Sequence, residues 1–164
     1  MIVPGSPLRL VLDTNVLFAG LVSESSASQR VVDALSARRA ILLLSPFVLA
    51  EYRAVLLHPE SLARFPHLTP QRIAVALQRL RYVADECRVI RIRFAFPRDP
   101  RDAKFIELAI AGTATHLVAL DNDILSLPTA RTDAGKRFRQ RLPGLVILPP
   151  SELLQRHGNM LGFA

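Results

Sequence analysis

At 164 residues, 50% of them apolar and 21% charged, the chain is sized for one domain around one core and is too apolar to be intrinsically disordered. Its apolar runs fall far short of the roughly 18 residues of a membrane span, and no secretory leader is expected at the N-terminus. A single cysteine, Cys87, excludes an internal disulfide and makes a reducing, cytoplasmic setting the simplest expectation, while a net charge of +7 draws polyanions, nucleic acid first among them. An arginine-rich composition inherited from a GC-rich source would give the same charge balance.

Residues 8–12, Leu-Arg-Leu-Val-Leu, form an apolar run too short for a helix and ending at Asp13, the pattern of a buried strand. A helical pattern follows over 27–38, then a second strand over 40–44 and a helix over 46–57. The spacing next predicts a helix over 70–84, a third strand over 89–92, a helix over 102–111, strands over 116–120 and 145–148, and a short helix near 151–156. Ser45-Pro46, Thr69-Pro70 and Asp99-Pro100 each set a side-chain acceptor before a proline, which marks a helix start, and Gly112 supplies a stop. Strands alternating with helices imply parallel strands and crossovers on both faces, hence a three-layer α/β/α, Rossmann-like domain with a central sheet of about five strands. A single domain over 1–164 is expected, with its core at about 8–155 and loose ends at 1–7 and 157–164.

In such a sheet ligands bind beyond the carboxyl ends of the strands. Asp13 directly follows the first strand and Asp121 the fourth. Glu51 shares a helix face with Phe47, Val48, Ala54 and Val55, and Asp102 shares one with Phe105, Ile106 and Ala109, so both project from apolar faces. Taken alone, each acid has an ordinary explanation: Asp13 as the cap of a short helix over 16–21, Asp102 as a helix-dipole partner, Asp121 with Asp123 as a turn, Glu51 as the partner of an arginine. Together at one edge, four acids repel one another and suffer desolvation unless a cation stands among them. Oxygen ligands without a cysteine or histidine at a useful spacing favour Mg²⁺ or Mn²⁺ over zinc, and such a centre hydrolyses phosphodiesters.

Four segments now bear a resemblance. Leu10-Val11-Leu12-Asp13-Thr14-Asn15-Val16-Leu17 resembles the opening signature of PIN-domain nucleases, and Ser45-Pro46-Phe47-Val48-Leu49-Ala50-Glu51 the segment carrying the second acid. Asp99-Pro100-Arg101-Asp102-Ala103-Lys104-Phe105 and Leu117-Val118-Ala119-Leu120-Asp121-Asn122-Asp123 are similar to the third and fourth. The likeness spans about 8–155 and is nearest the VapC-like toxins of toxin–antitoxin systems. It implies a Mg²⁺- or Mn²⁺-dependent endoribonuclease with one or two ions held by Asp13, Glu51, Asp102 and Asp121, and with Asp123 joining through water. It also implies products with 5′-phosphate and 3′-hydroxyl ends. Asn15 would orient Asp13, with Thr14 and Asp99 in support. It further implies a cognate antitoxin that blocks the site with a basic side chain, and a homodimer, for which the helix face around 48–57 is a candidate.

Two departures stand out: Ala119 where the family often has Thr or Ser, and a long stretch over 127–144. The latter carries Arg131, Lys136, Arg137, Arg139 and Arg141, candidates for gripping RNA or an acidic antitoxin segment. Ala119 favours a rival reading, a catalytically degenerate PIN-fold protein that binds RNA or a partner. A phosphatase ranks last, because Asp13-Thr14-Asn15 has no second acid two residues on. His58, His67, His116 and His157 lack metal spacing and are read as surface or packing residues, residues 23–28 as a loop into a helix cap, and Gly112-Thr113 as no phosphate loop.

Overall fold

A computed structural model describes residues 5–163. Its strands are β1 (Arg9–Leu12), β2 (Ile41–Leu44), β3 (Asp85–Glu86), β4 (His116–Val118) and β5 (Val146–Leu148). They form one parallel sheet in the order β3-β2-β1-β4-β5. Leu10 faces Leu42 on one side and His116 on the other, so β1 lies at the centre, and Leu10, Val11 and Leu12 are wholly buried. A strand covered on both faces needs an unbroken apolar run rather than an alternating one, and 8–12 supplies it.

The helices are α1 (Thr14–Val22), α2 (Ala27–Ser36), α3 (Pro46–Leu56), α4 (Pro59–Arg64), α5 (Pro70–Val83), α6 (Ala103–Ala111), α7 (Asn122–Leu125), α8 (Asp133–Arg141) and α9 (Pro150–His157). Helices α1, α2, α3 and α5 pack on one another and α9 returns to α2, while α6 lies against β1, β2 and β4. The result is the three-layer α/β/α domain that the alternation of patterns implies. Ser45 and Thr69 start α3 and α5 as expected, their hydroxyls accepting from the N–H groups of Val48 and Arg72 at 3.2 Å each.

Two expectations change, and one element comes as an addition. The third strand is not at 89–92 but is the two-residue β3, which pairs with Leu43 and Leu44. Beyond it the chain stays extended, with Phe94 and Phe96 turned inward and Val89 73% exposed, but it has left the sheet edge. The N–H of Phe94 donates instead to Glu107 Oε1 at 3.0 Å, on α6. An alternating run with no neighbouring strand makes no ladder. The long stretch over 127–144 holds a helix that the sequence pattern did not place: a short 3₁₀ turn, Leu127–Thr129, leads into α8, which Thr132 caps by accepting from Gly135 N–H at 3.2 Å. Of the C-terminal end read as loose, Leu161 is buried and the Phe163 ring lies 4.4 Å from the Arg30 guanidinium. Residues 1–4 and 164 lie outside the described residues.

Candidate active site

Strand order reverses between β1 and β4, and Asp13 stands at that switch point. Its N–H donates to Val118 O at 2.9 Å, which ties the exit of β1 to the end of β4. Asp13 occupies the cap position of α1, yet its side chain makes no capping bond. The residue is 3% exposed, and Oδ2 is buried without a hydrogen-bond partner. Burial pushes its carboxyl up to about 6, and the charge of Asp121 adds to the effect. The backbone amides of Leu120, Thr14 and Asn15 oppose it. A charged oxygen held out of water with no donor is costly, and capping does not account for it.

Glu51 reaches the same edge from α3, whose second turn is fixed when Tyr52 O–H donates to Leu12 O at 2.5 Å. Both of its oxygens are engaged: Thr14 Oγ1 donates to Oε2 at 2.5 Å, and Lys104 Nζ to Oε1 at 2.6 Å. The phenol of Tyr52 is held well above its usual range by burial and then by the charges of Asp13 and Glu51. It is a structural strut with its proton firmly kept.

Asp102 ends the 3₁₀ turn Pro100–Asp102 and precedes α6, again without a capping bond. Its carboxyl is pushed up to about 7 by burial and then by the charges of Asp99, Asp13, Asp121 and Glu51, in that order. Asp102 thus feels every other acid expected at the edge. Asp99 Oδ1 accepts from Arg101 N–H at 3.0 Å, holding the turn that presents Asp102. Asp121 caps α7, its Oδ1 accepting from the N–H groups of Asp123 and Ile124 at 2.8 and 3.2 Å. Asp123 lies 2.5 Å from Arg98 Nε, in an ion pair whose arginine is largely exposed.

Among the described residues no three acidic, histidine or cysteine side chains stand close enough to ligate one bare ion together. The acids sense one another but are held apart, as like charges without a cation between them must be. Their chemistry fits a hard cation that keeps part of its water: Mg²⁺ takes one or two carboxylates and several waters. Asp13, Asp102 and Asp121 have oxygens to offer it, whereas Glu51 already has its cation in Lys104.

The supporting residues divide. Thr14, the first residue of α1, links that helix to Glu51 on α3. Asn15 is exposed, and it meets Asp13 through its backbone amide rather than its side chain. Of the basic candidates, Arg139 donates to the carbonyls of Pro128 and Ala130 at 3.0 and 2.8 Å, and Arg141 to Arg93 O at 2.9 Å, so both fasten α8 to its surroundings. Arg131, Lys136 and Arg137 are exposed. Val48, Leu49, Tyr52 and Leu56 are buried in the core, which leaves Phe47, 65% exposed, and Leu57 as the outward apolar residues of the α3 face proposed for self-association. Sequence reasoning missed Lys104 and Arg98. A signal for Lys104 existed: a lysine in the first turn of a helix stands against the helix dipole, and something must hold it there.

A set of acids at the switch point of a parallel sheet defines a class, the α/β domains that work on ligands beyond their strand ends. The chain belongs to the PIN-domain family, whose profile, described as PIN domain, matches residues 9–123 and so takes in Asp13, Glu51, Asp102 and Asp121. PIN domains are generally nucleases and typically use divalent metals. No curated protein and no solved structure matches the chain significantly. No helix among the described residues is long and apolar enough to cross a membrane.

Proposed function

We propose that the protein is a Mg²⁺- or Mn²⁺-dependent endoribonuclease that hydrolyses RNA phosphodiester bonds at the sheet edge that Asp13, Asp102 and Asp121 share. The observation that carries this reading is the orphaned, buried Oδ2 of Asp13 amid acids that mutually disfavour ionisation. When bound, the ion supplies neutralisation of that charge and of the phosphate, and it lowers the pKa of attacking water. Asp13, Asp102 and Asp121 would hold it, with water filling the rest of its shell. Lys104 balances Glu51, and the Thr14 hydroxyl fixes that carboxylate so that α3 keeps its place beside α1. The net charge of +7 favours association with a polyanion such as RNA.

The test is cleavage of a fluorescently labelled RNA by pure protein with Mn²⁺, Mg²⁺ or EDTA. Metal-dependent cleavage is expected for the native protein, and a loss of at least a hundredfold for Asp13→Asn with the circular dichroism spectrum unchanged. Equal cleavage by the variant removes Asp13 from the reaction.

The resemblance to VapC-like toxins supports a second element of the proposal, that the protein is the toxin of a pair and that a small antitoxin blocks the acidic edge. Co-expression with the product of the adjacent reading frame tests it, the expected outcome being a stable complex with suppressed cleavage. A rival reading, a non-catalytic PIN fold that binds RNA or a partner, draws on the Lys104–Glu51 pair and on buried Ala119, which brings no hydroxyl. Tight RNA binding without metal-dependent cleavage would favour it.

A further inference from the structure

Beside the acidic edge lies a hollow of about 310 Å³ between the 96–98 segment, the end of α7 and the first half of α8. Its lining joins apolar Phe96, Leu127 and Ala134 with the hydroxyls of Ser126 and Thr132 and the guanidiniums of Arg98 and Arg137. Phe96, Leu127 and Ala134 are buried and form the wall, whereas Arg137 is exposed and forms no ion pair among the described residues. The hollow shares two sides with the acids. One side runs from Arg98 directly into Asp99, and the other includes Asp123, whose N–H is bonded to Asp121 Oδ1 at 2.8 Å. The Arg98–Asp123 pair, at 2.5 Å, stands where the two meet.

We propose that this hollow is a base-binding subsite: it holds one unstacked nucleobase of the RNA strand that lies across the acidic edge. The inference rests on the nuclease reading and adds the means by which the strand is gripped. An apolar wall with guanidinium groups at the rim suits a flat, π-faced ligand tethered to a phosphate: the base stacks on the wall or under a guanidinium plane, and Arg137 meets the adjoining phosphate. Hydroxyls and the Asp133 carboxylate give donors and acceptors for a base edge. The volume lies at the low end of small-ligand sites, roughly 300–1,000 Å³, which suits one nucleotide rather than two. A base paired in a duplex cannot enter, so single strands and loops are selected.

The test uses metal-free native protein in EDTA, where no cleavage occurs, followed by ¹H–¹⁵N spectra during titration with each ribonucleoside 5′-monophosphate and with inorganic phosphate. Shifts are expected at Arg98, Ser126, Leu127 and Ala134, with at least a fivefold difference in affinity between the best and worst nucleotide. Inorganic phosphate alone should leave the apolar wall unmoved. Ser126→Trp, which fills the mouth, should abolish the nucleotide shifts, and Arg137→Ala, an exposed change that leaves the fold alone, should weaken binding at least threefold. No shift at the wall, the same shifts with inorganic phosphate, or nucleotide binding undiminished in Arg137→Ala overturns the subsite. Because this readout needs neither metal nor catalysis, a failed cleavage assay would overturn the nuclease reading and leave the binding result standing.

Discussion

Asp13 and Lys104 illustrate opposite ways of living with charge at a half-dry edge. Asp13 has no partner for Oδ2, and its folded value of about 6 lies above the ordinary 3.8 of an aspartate, so the native state binds its proton more tightly than the unfolded chain does. The penalty is therefore absent below about pH 3.8, grows as pH rises through about 6, and is complete above that, on the order of 3 kcal/mol. Asp13→Asn is expected to stabilise the metal-free protein by ~1–3 kcal/mol at pH 7.5 and to reduce the stabilisation by Mn²⁺, both read from urea unfolding. A less stable variant would show that Asp13 has a protein partner after all. With Asp102 also raised, to about 7, ions compete with protons for the same oxygens. Calorimetry in buffers of different ionisation enthalpy should find Mn²⁺ binding releasing about one proton at pH 6 and fewer at pH 8. Lys104, by contrast, is matched to Glu51 at 2.6 Å. Lys104→Met should cost ~1–3 kcal/mol without metal and raise Mn²⁺ affinity severalfold, since it leaves Glu51 uncompensated. Unchanged affinity would show that Lys104 lies outside the field of the site.

Among the elements, those whose signals are local were the legible ones. Strands β1, β2, β4 and β5 and helices α2, α3, α5, α6 and α9 could be placed from apolar runs, caps and prolines within a few residues, because burial and capping are written in adjacent side chains. What could not be read depends on neighbours distant in sequence. Residues 89–92 have a strand-like composition, but no strand lies alongside them, and the capture of Phe94 by Glu107 is invisible in one dimension. Helix α8 hid among basic residues because its anchors are backbone carbonyls reached by Arg139 and Arg141. The acids followed the same division. Their shared edge follows from topology, whereas the Lys104–Glu51 and Arg98–Asp123 pairs are tertiary facts. Gly135 binds α8 to the turn before it: a Cβ there would lie 2.2 Å from Ala130 O and 2.9 Å from its carbonyl carbon. Gly135→Ala is expected to lower stability by ~1–3 kcal/mol and to loosen the grip of Arg139 on that turn, measured by thermal unfolding and by hydrogen exchange around Ala130. A full-strength melt would mean that the turn yields freely.

Over the whole molecule, two sets of buried ionisable groups set the response to pH, and they oppose each other. His116, buried in β4 with its ring 4.8 Å from that of His157, is pushed down to about 4, first by burial and then by His157 and Arg156. Between pH 6.5 and 4 the unfolded chain takes up this proton and the native protein does not, so the histidine removes stability as pH falls. Asp13 and Asp102 do the reverse over 3.8 to about 6 and 7. Native metal-free protein should therefore show a shallow stability profile from pH 7.5 to 5. His116→Phe should melt at progressively higher temperature relative to native as pH is lowered across that range. Parallel profiles for the two proteins would exclude His116 as the counterweight.

The sheet also ends on one side in a stub. Strand β3 is two residues long, both of them acidic, and Arg88 follows while the chain veers away. A growing fibril or a swapped neighbour needs a long row of vacant amides and carbonyls to template upon, and this border offers almost none. Crowded copies of the molecule are thus steered away from cross-strand aggregation along this border.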